Sequence, residues 1–216
     1  MVPTPDWSTL PRLTVVDHPG AGRAWITHTR PAAALDAPDA VLDEVVNHIL
    51  GGTFASRLSM RLREQEGLVY DIDSQLLQRQ GMGRVEITCS VHGPDAGLAM
   101  TAIAEVLSSM ATAPPTEEEL AVSVRALMLD EIRDGQHLQG QLRSPGVAVQ
   151  HSRSPASINE RLTAISTVPL TTVQQRAVSL FGEETGIWVV TGDAVMLSVA
   201  LPENGWDVDR MRTMVR

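Results

Sequence analysis

From Val85 to Val91 the chain alternates without a break: Val85, Ile87, Cys89 and Val91 are apolar, and Glu86, Thr88 and Ser90 between them are polar. Successive side chains of a strand point to opposite faces, so a period of two describes a strand with one face covered and the other left to water. Gly81-Met82-Gly83 just before it supplies a turn, and residues 68–77 before that read as a second strand, which makes an antiparallel hairpin. A half-covered hairpin argues against a parallel doubly wound sheet, whose strands are buried on both faces and read as continuous apolar runs. The apolar face needs a cover, and the rest of the chain offers helices for it.

The first of these helices spans residues 39–50, with Val41, Leu42, Val45, Val46, Ile49 and Leu50 at helical spacing and Gly51-Gly52 as a backbone device that permits a tight break. A second helical pattern places Phe54, Leu58 and Leu62 on one buried stripe and is stopped by Gly67. A third covers residues 94–110, with Leu98, Ala102, Ile103, Val106, Leu107 and Met110 inward. Pro114-Pro115-Thr116-Glu117-Glu118-Glu119 then reads as a capping box, in which Thr116 and Glu119 satisfy each other's exposed amides. The helix it starts runs through Leu120, Val124, Leu127 and Ile132 to Gly135.

Shorter strands fit residues 13–16 and 23–29, broken by His18-Pro19-Gly20 and closed by Arg30-Pro31, and a last strand fits 186–191. Further helices fill 136–182. The expected architecture is α+β: an antiparallel sheet covered by helices, forming a single domain over residues 12–216 after an extended, proline-bearing lead-in at 1–11.

Composition removes several classes of function. A net charge of −9 with no basic run argues against a nucleic-acid partner, and all 17 cations are arginine, so a phosphate-binding loop that needs lysine is absent. Cys89, the single cysteine, lies within the alternating strand and reads as a small buried hydrophobe rather than a catalytic thiol. Neither a basic, apolar leader nor a run of roughly 20 apolar residues occurs, and a soluble cytoplasmic protein with no membrane partner is expected. The six histidines, His18, His28, His48, His92, His137 and His151, never stand three or four residues apart, and neither H-E-x-x-H nor its inverse occurs. No metal site or cofactor is therefore expected on this chain. Without a nucleophile elbow either, the residues by themselves describe an α+β domain with no evident active site.

One stretch goes further. Asn47-His48-Ile49-Leu50-Gly51-Gly52-Thr53-Phe54-Ala55-Ser56-Arg57-Leu58, followed by Leu62-Arg63-Glu64-Gln65-Glu66-Gly67-Leu68-Val69-Tyr70, resembles the C-terminal half of the pitrilysin and mitochondrial-processing-peptidase family of zinc peptidases. The order of the following elements agrees over roughly residues 13–200, as does Gly192-Asp193 after the last strand. The resemblance implies a processing-peptidase-like half-domain without zinc ligands, and a partner subunit of the same family that carries Zn2+ and the H-x-x-E-H motif. The two would hydrolyse peptides in an enclosed chamber.

The resemblance also assigns residues. Arg63 and Tyr70 match an arginine and a tyrosine that reach the partner's zinc site, where fixed donors can bind a substrate carbonyl and the oxyanion formed from it. Helical geometry sets Arg63 about 130° from the Phe54–Leu58–Leu62 stripe, free to face a cavity. Tyr70 is expected on a strand face with Leu68 and Ile72, half buried with its hydroxyl at a cleft. Arg57, Gly51, Gly52 and Gly67 are expected to be structural, with Arg57 bound to an acid or a carbonyl. Other readings stay open: Arg63 paired on a solvated helix face, Tyr70 as a core ring, the chain as an inert structural or peptide-binding subunit, or as half of a longer chain. The negative charge adds an expectation of basic peptide substrates.

Overall fold

The computed structural model describes residues 6–136, 156–183 and 185–213. The alternating segment is β4 (Met82–His92), and it pairs antiparallel with β3 (Ile72–Arg79) through the glycine turn expected from sequence, where Gly81 takes φ +74°. On its other side β4 pairs antiparallel with β2 (Arg23–Ala32), and β2 in turn with β5 (Ile187–Gly192). β5 runs parallel to β1 (Leu13–Asp17), which runs parallel to β6 (Arg210–Thr213). The six-stranded order is β3-β4-β2-β5-β1-β6.

The sheet is thus antiparallel through four strands and parallel at one end, a refinement of the all-antiparallel expectation. The turn at His18-Pro19-Gly20 closes no hairpin, because β5 inserts between β1 and β2. β2 also continues past Arg30 through Pro31. Its neighbour β5 pairs no further than Thr29, so the missing proline N–H breaks no ladder bond on that side.

One face of the sheet is covered. Leu13, Val15, Ala24, Ile26, Val85, Ile87, Val91 and Val190 are buried there against α1 (Ala40–Gly51), α2 (Ala96–Thr112) and α5 (Leu170–Phe181), while α3 (Glu117–Gln136) and α4 (Ala156–Thr167) pack outside α1. The short α6 (Ala194–Ala200) is capped by Asp193, whose carboxylate accepts from the amides of Val195 and Met196. Cys89 belongs to the same buried face, and burial pushes its thiol up to about 12, which keeps it protonated and inert. Asp43, fully buried on α1, receives the Arg176 guanidinium from α5 through two bonds and the Ala33 amide through a third. A buried carboxylate is tolerable only when satisfied in this way.

Several expectations are corrected. Leu98, read as inward, is 45% exposed. Trp7–Thr9 is a 3-10 turn capped by Asp6 rather than extended chain. β3 begins at Ile72, four residues later than the expected strand. The histidines His137 and His151 lie outside the described residues.

Gly51 and Gly52 serve close approach rather than an unusual φ. A Cβ on Gly51 would sit 2.3 Å from the Ser74 Cβ, and one on Gly52 would sit 2.6 Å from the His48 ring. Beside this contact the Asn47 amide donates to the Ser74 carbonyl at 2.9 Å and accepts from the Ser74 hydroxyl at 2.6 Å, both buried. Gly51→Ala is therefore expected to push α1 off β3 and lower stability by about 1–3 kcal/mol, the usual range for overpacking. Urea unfolding checks it: the midpoint should fall, and an unchanged midpoint would mean that the two elements have room to separate.

Candidate functional site

The segment between α1 and β3 positions the residues singled out in the sequence. Gly52 closes α1 by bonding to the His48 carbonyl, and residues 53–56 make a turn instead of continuing as helix. The helix resumes at Arg57 and is π-helical over Ser59–Gln65, with Glu66 N–H bonded to the Arg61 carbonyl five residues back. π-helical turns are rare and concentrate at functional sites. Leu58 and Leu62 are completely buried beneath it. Gly67 leaves the helix at φ +64°, a conformation open to glycine, and Leu68 N–H returns to the Leu62 carbonyl.

This geometry brings Arg63 and Tyr70 together at the surface. The Arg63 guanidinium lies 4.8 Å from the Phe54 ring centroid and 5.9 Å from that of Tyr70. Within about 6 Å a ring face attracts a cation, so the arginine is held between two aromatic side chains. Its ionic contact, Nε to Glu64 Oε1 at 3.5 Å, is solvent-exposed and adds little. Tyr70 is 86% exposed, and among the described residues nothing bonds its hydroxyl. The core-ring reading of Tyr70 is excluded, and so is the half-buried strand position: the chain at 67–71 is still leaving the helix.

Phe54 is the functional candidate that sequence reasoning missed. It was placed on the buried stripe with Leu58 and Leu62, yet it is 73% exposed. The stripe argument assumed uninterrupted α-helical spacing, and the turn at 53–56 breaks it. The glycine pair ending two residues before Phe54 was the available signal.

Arg57 anchors the whole segment. Its Nε and Nη2 donate to the two Glu119 carboxylate oxygens at 2.6 and 2.8 Å, and its Nη1 donates to the carbonyls of Ser109 and Ala113. One guanidinium thus ties the π-helical start to the end of α2 and the start of α3. Glu119 completes the capping box as well: it accepts from the Thr116 amide at 2.8 Å while its own amide donates to the Thr116 hydroxyl at 3.2 Å. Burial pulls the Glu119 carboxyl upward, but the bonds from Arg57 and Thr116 outweigh it and hold the group below its ordinary range.

Among the described residues no three His, Cys, Asp or Glu side chains converge to hold a metal ion. What the Phe54–Arg63–Tyr70 cluster can do is donate hydrogen bonds from a fixed cation and a phenol to something outside this chain.

Residues 4–127 match the family described as the peptidase M16 inactive domain. Among solved structures, the peptidase M16 inactive domain from Pseudomonas fluorescens is 19% identical with a TM-score of 0.74, and a protease from Helicobacter pylori is 15% identical with a TM-score of 0.75. These cover 84% and 83% of this chain, which in turn spans 43% of each of those chains. The inactive peptidase domain of a candidate zinc protease from Bordetella parapertussis, 17% identical with a TM-score of 0.69, aligns over 84% of this chain and 95% of its own. No protein with a curated description matches.

Replacing Arg57 by Ala is expected to lower stability by about 2 kcal/mol, since it removes charge-assisted bonds and leaves carbonyls unpaired. Stabilisation through a carboxyl whose folded pKa is depressed exists above the unfolded value, here about 4.5, and disappears as pH falls through the folded pKa. The difference between wild type and Arg57→Ala in thermal denaturation should accordingly be full at pH 7 and shrink below pH 4.5. A difference independent of pH would show that the carbonyl bonds carry it alone.

Proposed function

The chain belongs to the peptidase M16 inactive-domain family, and from that premise we propose that it is the non-catalytic, substrate-holding subunit of a two-part zinc peptidase. A zinc-bearing subunit of the same family would complete it. Because the chain spans 43% of two structural neighbours, a second half of comparable size is the natural complement. A domain of this description carries no catalytic zinc of its own. In the complete enzyme the partner's Zn2+ would supply the activated water for peptide hydrolysis.

The observation that carries this reading is the Phe54–Arg63–Tyr70 cluster: a partly exposed cation whose ionic contact is a weak one to Glu64, beside an exposed phenol whose hydroxyl has no partner among the described residues. Arg63 would donate to a substrate carbonyl and keep it in place. Tyr70 would donate its hydroxyl proton in a hydrogen bond to the carbonyl oxygen as negative charge develops there, a contact that strengthens in the transition state and so speeds the reaction. Phe54 would act as a positioning residue, since its ring limits where the guanidinium can go. Neither donor has to change protonation state.

The rival reading, an inert structural or peptide-binding subunit, makes the opposite prediction. In the complex with a zinc-bearing partner, Tyr70→Phe is expected to lower kcat about 10²–10³-fold with little change in KM, the magnitude typical of losing one oxyanion donor. Arg63→Ala should lower kcat/KM by a similar factor and raise KM. Size-exclusion chromatography should show the complex intact for both. Wild-type rates in both variants would favour the inert subunit.

A further inference from the structure

The inward face of β2 reads Ala24, Ile26, His28, Arg30, all buried. Two hydrophobes are followed by two polar side chains on the face that forms the core elsewhere. Arg30 is only 4% exposed, the lowest of the described arginines. The others that are substantially covered, Arg57, Arg161 and Arg176, each meet a carboxylate. Arg30 meets none among the described residues: its Nη2 donates to the Glu183 carbonyl at 3.0 Å and the Thr185 hydroxyl at 3.3 Å, its guanidinium lies 4.6 Å from the Phe181 ring centroid, and its Nε has no partner there. Burial lowers its pKa to about 10, which still leaves it charged at neutral pH.

An unpaired buried cation is destabilising unless an anion completes it. Space for one is present. A cavity of about 300 Å³ is lined by Arg30, His28, Thr185, Phe181, Trp188 and Ala104, among others, a volume at the lower end for small-molecule sites. His28 adds no second charge: burial, and then the charge of Arg30, push it down to about 3. Its Nδ1 is a second buried polar atom without a partner, and its ring packs 4.4 Å from that of Trp188. Arg30 is the one cation on this lining, set among aromatic walls with the Glu183 carboxylate also at the edge, and that balance suits a monoanion on an apolar body better than a phosphate dianion.

We propose that this cavity binds a small carboxylate carried on an apolar group, with the carboxylate at Arg30 and the apolar part against Phe181, Trp188 and Ala104. None of these residues belongs to the Phe54–Arg63–Tyr70 cluster, so the site stands or falls independently of the peptidase reading. The carboxylate could come from a peptide C-terminus or from a free organic acid.

Isothermal titration of the full chain with N-acetyl-leucine and with benzoate, each against its neutral amide, separates these sources. At least one acid is expected to bind ten-fold or more tightly than its amide, and the better acid identifies the source. Arg30→Met should fold at least as stably as wild type, because it removes an unpaired buried charge, and should lose ten-fold or more in affinity for that acid. Ala104→Leu, which keeps Arg30 but narrows the cavity, should lose affinity as well and provides the test if Arg30→Met fails to fold. Equal binding of acid and amide, no binding of either acid at millimolar concentration, tighter binding of inorganic phosphate, or undiminished binding by Ala104→Leu would overturn the proposal.

Discussion

The arrangement of this domain's exposed cluster rests on one guanidinium. Arg57 reaches the Glu119 carboxylate and the last carbonyls of α2 together, so the start of the π-helical segment and the α2–α3 junction, more than fifty residues on, meet at a single side chain. Carbonyls at a helix end need partners, and a carboxylate at a helix start is favoured by the helix dipole. The planar fork of arginine satisfies both at once, which an ammonium could not. From this fixed point the π-helical turn projects Arg63, and Gly67 directs the chain back so that Tyr70 comes up beside it. Leu58 and Leu62, buried under the turn, hold its other side.

Local chemistry made part of this legible in advance. The alternation from Val85 to Val91 gave a strand whose apolar side chains are indeed buried, and Thr116 and Glu119 form the reciprocal bonds that their spacing implied. Gly67 takes a positive φ, and Arg57 binds a carboxylate. What escaped depends on long-range arrangement or on a change of helical type. No local signal tells β5 to enter between β1 and β2, or β6 to pair in parallel with β1. Helical spacing predicts a buried Phe54, and the structure exposes it. That inference runs only one way, since much of any protein surface is apolar. The exposure of Tyr70 follows from the same irregular segment, which delays β3 to Ile72.

Two arginines illustrate how differently one residue type is used when lysine is absent. Arg63 is partly exposed and stacked on aromatic rings, a donor directed outward. Arg30 is buried with an unpaired Nε at a cavity wall. Both present a fixed positive charge without a carboxylate in firm contact, and in a chain of net charge −9 such positions stand out. Membership of the inactive M16 domain family accounts for a domain that has donors and a sheet for support, with no three described residues able to hold a metal.

The central claim is that this chain completes an active site that it does not itself contain. The most direct measurement is cleavage of quenched fluorescent peptides by the chain alone, by a zinc-bearing half of the same family alone, and by the two mixed with zinc. The account predicts cleavage in the mixture and none by either component. Cleavage by this chain alone would contradict it, and so would a stable mixed complex that cleaves nothing.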